Sequence, residues 1–576
     1  MVEKEKYPIP TSRKEMDALG WKEADIILFS GDAFIDHPSF GTAVIARVLL
    51  NNGYKVAVVP QPNWRDDLRD FKKLGTPNLF FGVNAGVMDS MINHYTANKR
   101  IRSNDAYTPG GDAGRRPDYA VTVYSRILKE IFPQTPIVIG GVEASLRRLT
   151  HYDYWQDKIS PSVLIDSGAD WLVYGMGEMP ILELAYKISM GESVEMIRRT
   201  RQIAYLSDKQ ASYFSDFIQL NSYEECIKNK IAFVENFKII ESESNSWSPK
   251  HIIEPSGNKF VHITPAWPQL SQEELDTIYD LPFTRKPHPR YGDKMIPAYE
   301  MIKFSINTHR GCFGSCTFCT ISAHQGKFVQ SRSEDSIVKE AEIISKMDGF
   351  KGYISDLGGP SANMYKMRGK NLSQCHSCRR DSCVFPNICI NLDVSHAPLL
   401  QLYNSVSMVK GIKKAFIGSG IRYDLFLDDK KYLDETGRKY LEEVLLNHTS
   451  GRFKIAPEHT EDHVLKAMGK PSFKIFSKLK TEFNDIIHSK NIKLQIVPYF
   501  ISSHPSCKMD DMKALSQNPH LKDINLEQVQ DFTPTPMTRS SISFCTGIDP
   551  KTMKHIFVER DPSMKQKQKS FFFNKK

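Results

Sequence analysis

The sequence lacks any apolar run of about 18 residues, the length that a bilayer-spanning helix requires. Its first residues, Met1 to Pro8, are charged and have no apolar core of the kind that signal peptides carry. A small secreted disulfide protein is also excluded, because the chain has 576 residues and seven of its ten cysteines fall between 312 and 389. We therefore expect a cytoplasmic protein with no membrane partner, in which the clustered cysteines bind metal.

The chain also lacks a strong excess of charge, since its net charge is only +9 over 576 residues. Part of this charge lies in the lysine-rich end, and we expect residues 549–576 to form a basic, disordered tail. Nucleic acid is the weaker alternative partner, because a nucleic-acid footprint is a concentrated basic face. The length itself predicts two or three domains.

Short apolar strands alternate with helical stretches over residues 1–195. This alternation predicts a doubly wound, Rossmann-like α/β domain built on a parallel sheet. A polar insert at 102–118 interrupts it, and Arg102, Arg115 and Arg116 could hold a phosphate or a carboxylate there, or could be solvated. The pattern weakens over residues 196–297, which we interpret as a connector.

Strand–helix units repeat from about 298 to 548 and predict a partial (β/α) TIM-like barrel. The site of such a barrel lies at the C-terminal ends of its strands. Glycines or polar residues follow several of the predicted strands, and these candidate site residues are Gly358, Gly359, Ser419, Arg422 and Glu458. Each of them could equally be a loop residue that makes a local cap.

Three cysteines follow the first barrel strand at a CxxxCxxC spacing: Cys312, Cys316 and Cys319. Three thiolates this close can hold three corners of a cubane iron–sulfur cluster and leave the fourth iron open to a small molecule. A structural zinc site or three unrelated core cysteines are the alternatives. Zinc sites usually have four ligands arranged in CxxC pairs, so the triplet fits them poorly.

A second cysteine group has the spacing CxxCx₄Cx₅C and comprises Cys375, Cys378, Cys383 and Cys389. Four thiolates here could bind zinc or an auxiliary iron–sulfur cluster. Packed cysteines without metal are the alternative. Basic side chains between 368 and 380 would stabilise thiolates.

The triplet with Phe318 before its last cysteine resembles the CxxxCxΦC signature of the radical S-adenosylmethionine (radical SAM) superfamily. The resemblance implies a [4Fe–4S] cluster whose open iron is chelated by SAM. It also implies that the Gly358-Gly359 turn contacts the SAM amino group, although Pro360 replaces the acidic residue that usually follows. Arg422 would bind the SAM carboxylate, and Ser419 and Glu458 would help to position SAM. No catalytic residue is assigned.

Longer phrases resemble the YgiQ-type radical SAM family, among them Asp36-His-Pro-Ser-Phe-Gly41, Ser103 to Gly111, Asp356 to Tyr365 and Ala456-Pro-Glu-His459. The N-terminal segment also resembles the cobalamin-binding-like domain that precedes many radical SAM barrels. The cobalamin-ligand motif Asp-x-His-x-x-Gly is not matched, because His37 follows Asp36 directly. We therefore do not expect His37 to ligate cobalt, and we do not expect cobalamin.

These patterns favour a radical SAM enzyme that takes electrons from a donor and acts on an unknown substrate. One alternative is an RNA-modifying radical SAM enzyme, since tRNA methylthiotransferases share the barrel. The other is a non-catalytic iron–sulfur scaffold or redox sensor, which would need the cysteine triplet but not the Gly-Gly turn.

Overall fold

The computed structural model describes residues 8–210 and 212–573. The chain divides into two compact units. The first runs to Glu243 and includes Ser248–Pro268 and Thr277–Lys303. The second contains Ser244–Trp247, Gln269–Asp276 and the chain from Phe304 onward. Within the described residues, no helix is long and apolar enough to cross a membrane.

A nine-stranded sheet organises the first unit. Its strands are β1 (Ile26–Ser30), β2 (Val56–Pro60), β3 (Phe80–Asn84), β4 (Ile137–Ile139), β5 (Trp171–Val173), β6 (Ile203–Ser207), β7 (Phe217–Gln219), β8 (His251–Ser256) and β9 (Lys259–Ile263). The order is β7-β8-β9-β6-β5-β4-β3-β1-β2, and β1 to β5 are all parallel. The order β2-β1-β3-β4-β5 is that of flavodoxin-like doubly wound sheets. Strands such as β1 and β2 are apolar at nearly every position, because helices cover both faces of the sheet.

The segment 196–297 differs from the connector that we expected. It contributes β6, β7, β8 and β9, which extend the parallel sheet with antiparallel pairings from β5 to β6, β6 to β9 and β9 to β8. Its strands are short and are separated by polar stretches, so their alternation is weak in the sequence. Only the tertiary pairing with β5 reveals that they belong to the same sheet.

The second unit contains a curved series of parallel strands. They are β10 (Ser305–Asn307), β11 (Tyr353–Ile354), β12 (Asp356–Gly358), β13 (Lys414–Ala415), β14 (Arg452–Glu458), β15 (Gln495–Ser502) and β16 (Gln528–Asp531). β10 pairs with β12, β11 with β13, and β14 with β15 and then β16. A parallel bridge from Ile421 to Ile455 continues the series from the segment after β13 to β14. This is a partial (β/α) barrel, and one large apolar core fills it.

Three short antiparallel pairs complete the strands: Ile35–Asp36 with Lys286–Pro287, His151–Asp153 with Lys158–Ser160, and His309–Arg310 with Gln330–Ser331. The helices up to residue 303 are Arg13–Ala18, Gly41–Asn51, Arg69–Lys72, Ser90–His94, Ala120–Ile131, Gly141–Leu146, Val163–Ser167, Glu178–Ser189, Val194–Ile197, Tyr223–Lys228, Lys230–Ser244, Gln272–Tyr279 and Pro297–Ile302. The later helices are Ile321–Gln325, Glu334–Ser345, Leu372–His376, Ala397–Ser407, Glu435–Glu443, Asp462–Met468, Phe473–Ser489, Met509–Ser516, Arg539–Thr546 and Pro562–Phe573.

The lysine-rich end also differs from the expected disordered tail. Residues Pro562–Phe573 form a helix, and Gln568 is fully buried on it. The Gln568 Oε1 atom accepts a hydrogen bond of 2.9 Å from the backbone N–H of Ser503. Composition favoured disorder, but these tertiary contacts order the helix against the end of β15.

Candidate metal centre and cofactor site

The first cysteine loop, residues 311–320, begins directly after the short strand His309–Arg310, which follows β10. Gly311 has φ of +83°, and a Cβ at this position would lie 2.3 Å from the carbonyl oxygen of Phe328. Only glycine fits here, so the chain can turn sharply into the loop. Thr317 holds the C-terminal half of the loop in place, since its N–H donates to the Met468 carbonyl at 3.0 Å.

The first two cysteines of the triplet each have a polar neighbour. The Arg422 guanidinium donates to the Cys316 sulfur at 3.3 Å and also forms an ion pair with Asp424. The Cys312 sulfur lies 3.7 Å from the Ser361 hydroxyl. Burial raises the pKa of the Cys312 thiol, and burial together with the neighbouring Cys316 raises the pKa of Cys319 to about 12. A bound metal would reverse this preference, because a coordinating thiol loses its proton.

The three cysteine sulfurs are ligands of the kind that three irons of a cubane cluster would take. Within the described ranges, no three His, Cys, Asp or Glu side chains converge on one point that could hold a metal ion. A tetrahedral zinc site needs such convergence, with sulfurs about 2.3 Å from the ion. A cubane does not, because each cysteine binds a different iron. The guanidinium beside Cys316 suits the negative charge of a thiolate-bound cluster.

The Gly358-Gly359 turn ends β12 close to the first cysteine loop. The Gly358 carbonyl accepts a bond of 2.8 Å from the Thr308 N–H. A Cβ on Gly359 would lie 2.6–2.8 Å from ring atoms of His309. The glycine therefore leaves space above a buried imidazole, and the turn backbone lies beside the start of the loop that holds Cys312.

Two more predicted residues lie at neighbouring strand ends. Ser419 donates its hydroxyl to Asp356, whose Oδ1 also accepts the backbone N–H of Ser419 at 3.2 Å. Glu458 ends β14 with φ of +71° and is buried. Burial raises the Glu458 pKa, whereas Lys470 and Arg422 act to lower it. An ion pair of 3.8 Å joins Glu458 to Lys470.

Other polar strand ends have internal roles. Ser503 is bonded to Gln568, and His504 Nε2 lies 2.7 Å from the Ser540 hydroxyl. His459 accepts the Glu461 N–H at 3.0 Å, and burial lowers its pKa to about 3. Only the His459 contact is a local cap, whereas Ser503 and His504 bond to residues far along the chain. Phe318 is half-buried, with its ring edge towards His504 at 6.1 Å between centroids.

Sequence reasoning missed Asp356, Ser361 and Lys470. Asp356 holds the turn at Gly418 and Ser419 through its Oδ1 atom. Its position two residues before Gly358 was a usable signal. Lys470 lies 12 residues after Glu458 and beyond the helix Asp462–Met468, so no strand or helix spacing links the two.

The second cysteine group lies on one loop of the same unit. Cys375, Cys378, Cys383 and Cys389 are all partly exposed. The N–H of Cys383 donates to the Phe313 carbonyl at 3.1 Å, so this loop contacts the backbone of the first cysteine loop. The sequence placed the two groups 56 residues apart and did not indicate this contact.

In the first unit, His37 is fully buried at the strand Ile35–Asp36. Its Nδ1 atom accepts the Ser39 N–H at 3.1 Å, and its Nε2 atom lies 2.8 Å from the Arg285 guanidinium. Burial, with the Arg285 charge, lowers the His37 pKa well below its usual value. Both ring nitrogens have protein partners, which agrees with a packing role.

The polar insert at 102–118 folds over the C-terminal edge of the sheet. Arg116 is fully buried, with ion pairs to Asp32 at 2.7 Å and to Asp105 at 2.9 Å. It also donates to the Ala85 carbonyl, so it lies between the ends of β1 and β3. Arg116 is therefore structural. A cavity of about 390 Å³ lies beside it, lined in part by Trp64, Arg102 and Asp118.

Known proteins resemble this chain over most of its length. A family model described as "Radical SAM N-terminal" matches residues 8–305. A "UPF0313 protein" of Bacteroides thetaiotaomicron is 53% identical over 579 residues, covering 98% of this chain and 93% of that protein. The "UPF0313 protein YgiQ" of Escherichia coli is 41% identical over 597 residues, covering 94% and 80%.

Among solved structures, the radical SAM methyltransferase TsrM from Kitasatospora setae, with cobalamin and a [4Fe–4S] cluster bound, has a TM-score of 0.51 and 14% identity. The match covers 91% of this chain and 78% of that chain, and at this identity it shows the fold alone. Our expectation that cobalamin is not bound finds no support here, because TsrM has cobalamin bound. On the identity and coverage of its relatives, the chain belongs to the YgiQ-type UPF0313 family of radical SAM proteins.

Proposed function

We propose that this protein is a radical SAM enzyme that binds a [4Fe–4S] cluster through Cys312, Cys316 and Cys319 and cleaves SAM reductively. The observation that carries the proposal is the 3.7 Å approach of the Cys312 sulfur to the Ser361 hydroxyl. Ser361 follows the Gly358-Gly359 turn by two residues. This approach brings the cluster ligands and the expected SAM-binding turn together, as a cofactor that bridges both would require.

When bound, the cluster supplies an electron that cleaves SAM to methionine and a 5′-deoxyadenosyl radical. The residues of this chain would position and shield the reactants. Arg422 places a positive charge at the Cys316 sulfur. Gly359 has no side chain, so the backbone of the turn can lie close to the His309 ring. Glu458 and Ser419 provide polar groups at the next strand ends, where barrel enzymes bind their ligands.

The test is anaerobic reconstitution of the full chain with iron and sulfide, followed by SAM and dithionite. We expect 5′-deoxyadenosine by mass spectrometry, and a change in the electron paramagnetic resonance (EPR) spectrum of the reduced cluster when SAM is added. The Cys316→Ala variant should lose both signals. Cys545→Ser is the matched control, because Cys545 is a partly exposed cysteine outside both groups.

A cluster-replete preparation that neither cleaves SAM nor changes its spectrum with SAM would contradict the proposal. That result would favour the scaffold or redox-sensor alternative. An external electron donor is required in the cell, since one electron enters for each SAM that is cleaved.

A further inference from the structure

The second cysteine loop, residues 369–392, is closed at its base by its own hydrogen bonds. Gly369 and Leu392 form an antiparallel bridge. The Asn371 N–H donates to the Asn391 side chain at 2.8 Å, and the Asn391 side chain donates back to the Asn371 carbonyl at 2.8 Å. All four cysteines of the second group therefore lie within one closed loop.

Two sulfurs in this loop accept N–H groups. Asn391 Nδ2 lies 3.4 Å from the Cys375 sulfur, and the Arg380 backbone N lies 3.4 Å from the Cys378 sulfur. A Cβ on Gly369 would lie 2.4 Å from the Cys375 sulfur, so glycine makes room for it. N–H groups directed at cysteine sulfur are typical of thiolates that bind iron–sulfur clusters, where they tune the metal.

A buried cation supplies an independent observation. Lys327 is only 1% exposed, and its ammonium donates to the Arg380 carbonyl inside the loop. Over the residues that the structure describes, no carboxylate lies within ion-pair distance of it. A buried ammonium is costly without a nearby negative charge. Thiols provide none while they are protonated, whereas four metal-bound thiolates would.

We propose that the second cysteine loop binds a second iron–sulfur cluster through Cys375, Cys378, Cys383 and Cys389, with Lys327 as its buried counter-charge. Zinc is the less suitable ion, because it needs four sulfurs about 2.3 Å from one point. The four sulfurs do not converge in this way, and neither do those of Cys312, Cys316 and Cys319, among the described residues.

The second site would also support the first. Residues 381 and 382 are bonded to the first cysteine loop. The Ser382 hydroxyl donates to the Gly314 carbonyl at 2.8 Å, and the Ser315 hydroxyl donates to the Asp381 carbonyl at 2.5 Å. Asp381 is held in turn by Arg539 at 2.8 Å. Metal in the second loop would therefore hold these contacts in place.

The experiment measures iron, acid-labile sulfide and zinc in the anaerobically reconstituted full chain and in two variants. Two [4Fe–4S] clusters would give about eight iron and eight sulfide per chain. The triple variant Cys312→Ala/Cys316→Ala/Cys319→Ala should keep about half of both, with an EPR signal that SAM does not change. The quadruple variant Cys375→Ala/Cys378→Ala/Cys383→Ala/Cys389→Ala should keep the SAM-responsive signal.

Several outcomes would overturn the proposal. They are a quadruple variant that keeps all the iron of the wild-type chain, a triple variant with no iron, or a triple variant with one zinc and no sulfide. A wild-type count of about eight iron supports a second cluster even if a variant fails to fold. A chain that does not cleave SAM would still give these metal counts. The proposed function is therefore tested by SAM cleavage, and the second metal site is tested separately by the metal counts.

Lys327→Met tests the counter-charge. We expect it to weaken metal retention by the second site about tenfold during dialysis against a chelator, since neighbouring groups of a metal site have effects of this size. Lys370→Met is the matched control, because Lys370 is exposed on the same loop. Equal metal retention by Lys327→Met and Lys370→Met would show that Lys327 is not the counter-charge of the second site.

Discussion

Arg422 donates from its guanidinium to the sulfur of Cys316 at 3.3 Å, although 106 residues separate them in the chain. Asp424 pairs with the same guanidinium and holds it in position. A Cβ on Gly314 would lie 2.4 Å from Arg422 Nη1, so the cysteine loop leaves space for this contact only because it has glycine there. The expected role of Arg422 at the SAM carboxylate stays a prediction, and its contact with a cluster ligand adds a second role.

Replacing Arg422 should therefore affect the cluster. We expect Arg422→Met to lower SAM cleavage by about 10–100-fold, the usual effect of losing a group that supports a metal ligand. Arg422→Lys should lose less, because it keeps the positive charge. The measurement is 5′-deoxyadenosine formation per cluster, with Arg452→Met as an exposed control. Wild-type cleavage by Arg422→Met would show that the contact has no role in the chemistry.

Gly359→Ala should block the SAM-binding turn. The added methyl would lie under 3 Å from the His309 ring, which is buried and cannot move freely. We expect the cluster to form but its EPR spectrum to become insensitive to SAM. Gly420→Ala is the control, since a Cβ there has no atom within 4 Å. A SAM response that survives in Gly359→Ala would separate this turn from SAM binding.

Gln568→Ala should destabilise the second unit, because it leaves the buried N–H of Ser503 without its acceptor. An unsatisfied buried group costs about 1–3 kcal/mol. The measurement is the urea midpoint of the full chain, read by fluorescence. Gln566→Ala changes the same residue type on an exposed position of the same helix and should leave the midpoint unchanged. Equal midpoints for both variants would mean that the helix contributes little stability.

Glu254 should make the first unit less stable as pH rises. Burial raises the pKa of Glu254, and hydrogen bonding from Thr150 lowers it by a smaller amount. The net effect is a rise from 4.5 to about 7. The folded state therefore holds a proton that the unfolded state releases, so stability falls between about pH 4.5 and 7 and is flat above. The total is about 3 kcal/mol, from 1.36 kcal/mol per pKa unit.

Glu254→Gln stays neutral and should remove this part of the pH dependence. Hydrogen exchange of peptides that contain β8, compared at pH 5 and pH 7.5 after correction for the intrinsic rate, measures the effect locally. An unchanged pH dependence in the variant would show that another group controls it.

The sequence alone determined the features that depend on local order. The CxxxCxxC spacing lies within one loop, so it indicates a cluster site without knowledge of the fold. The alternation of strands and helices predicted the doubly wound sheet and the partial barrel, because apolar periodicity follows directly from which faces are buried. The long phrases shared with the YgiQ-type family indicated the superfamily.

Tertiary structure decided what depends on residues that are distant in the chain. Only the fold brings Arg422 to Cys316 and Lys327 into the second cysteine loop. It also showed that Arg116 pairs with Asp32 and Asp105, that residues 203–263 extend the sheet, and that the lysine-rich end is helical. These outcomes depend on burial and pairing, because a charged or polar side chain buries only where the folded chain supplies its partner.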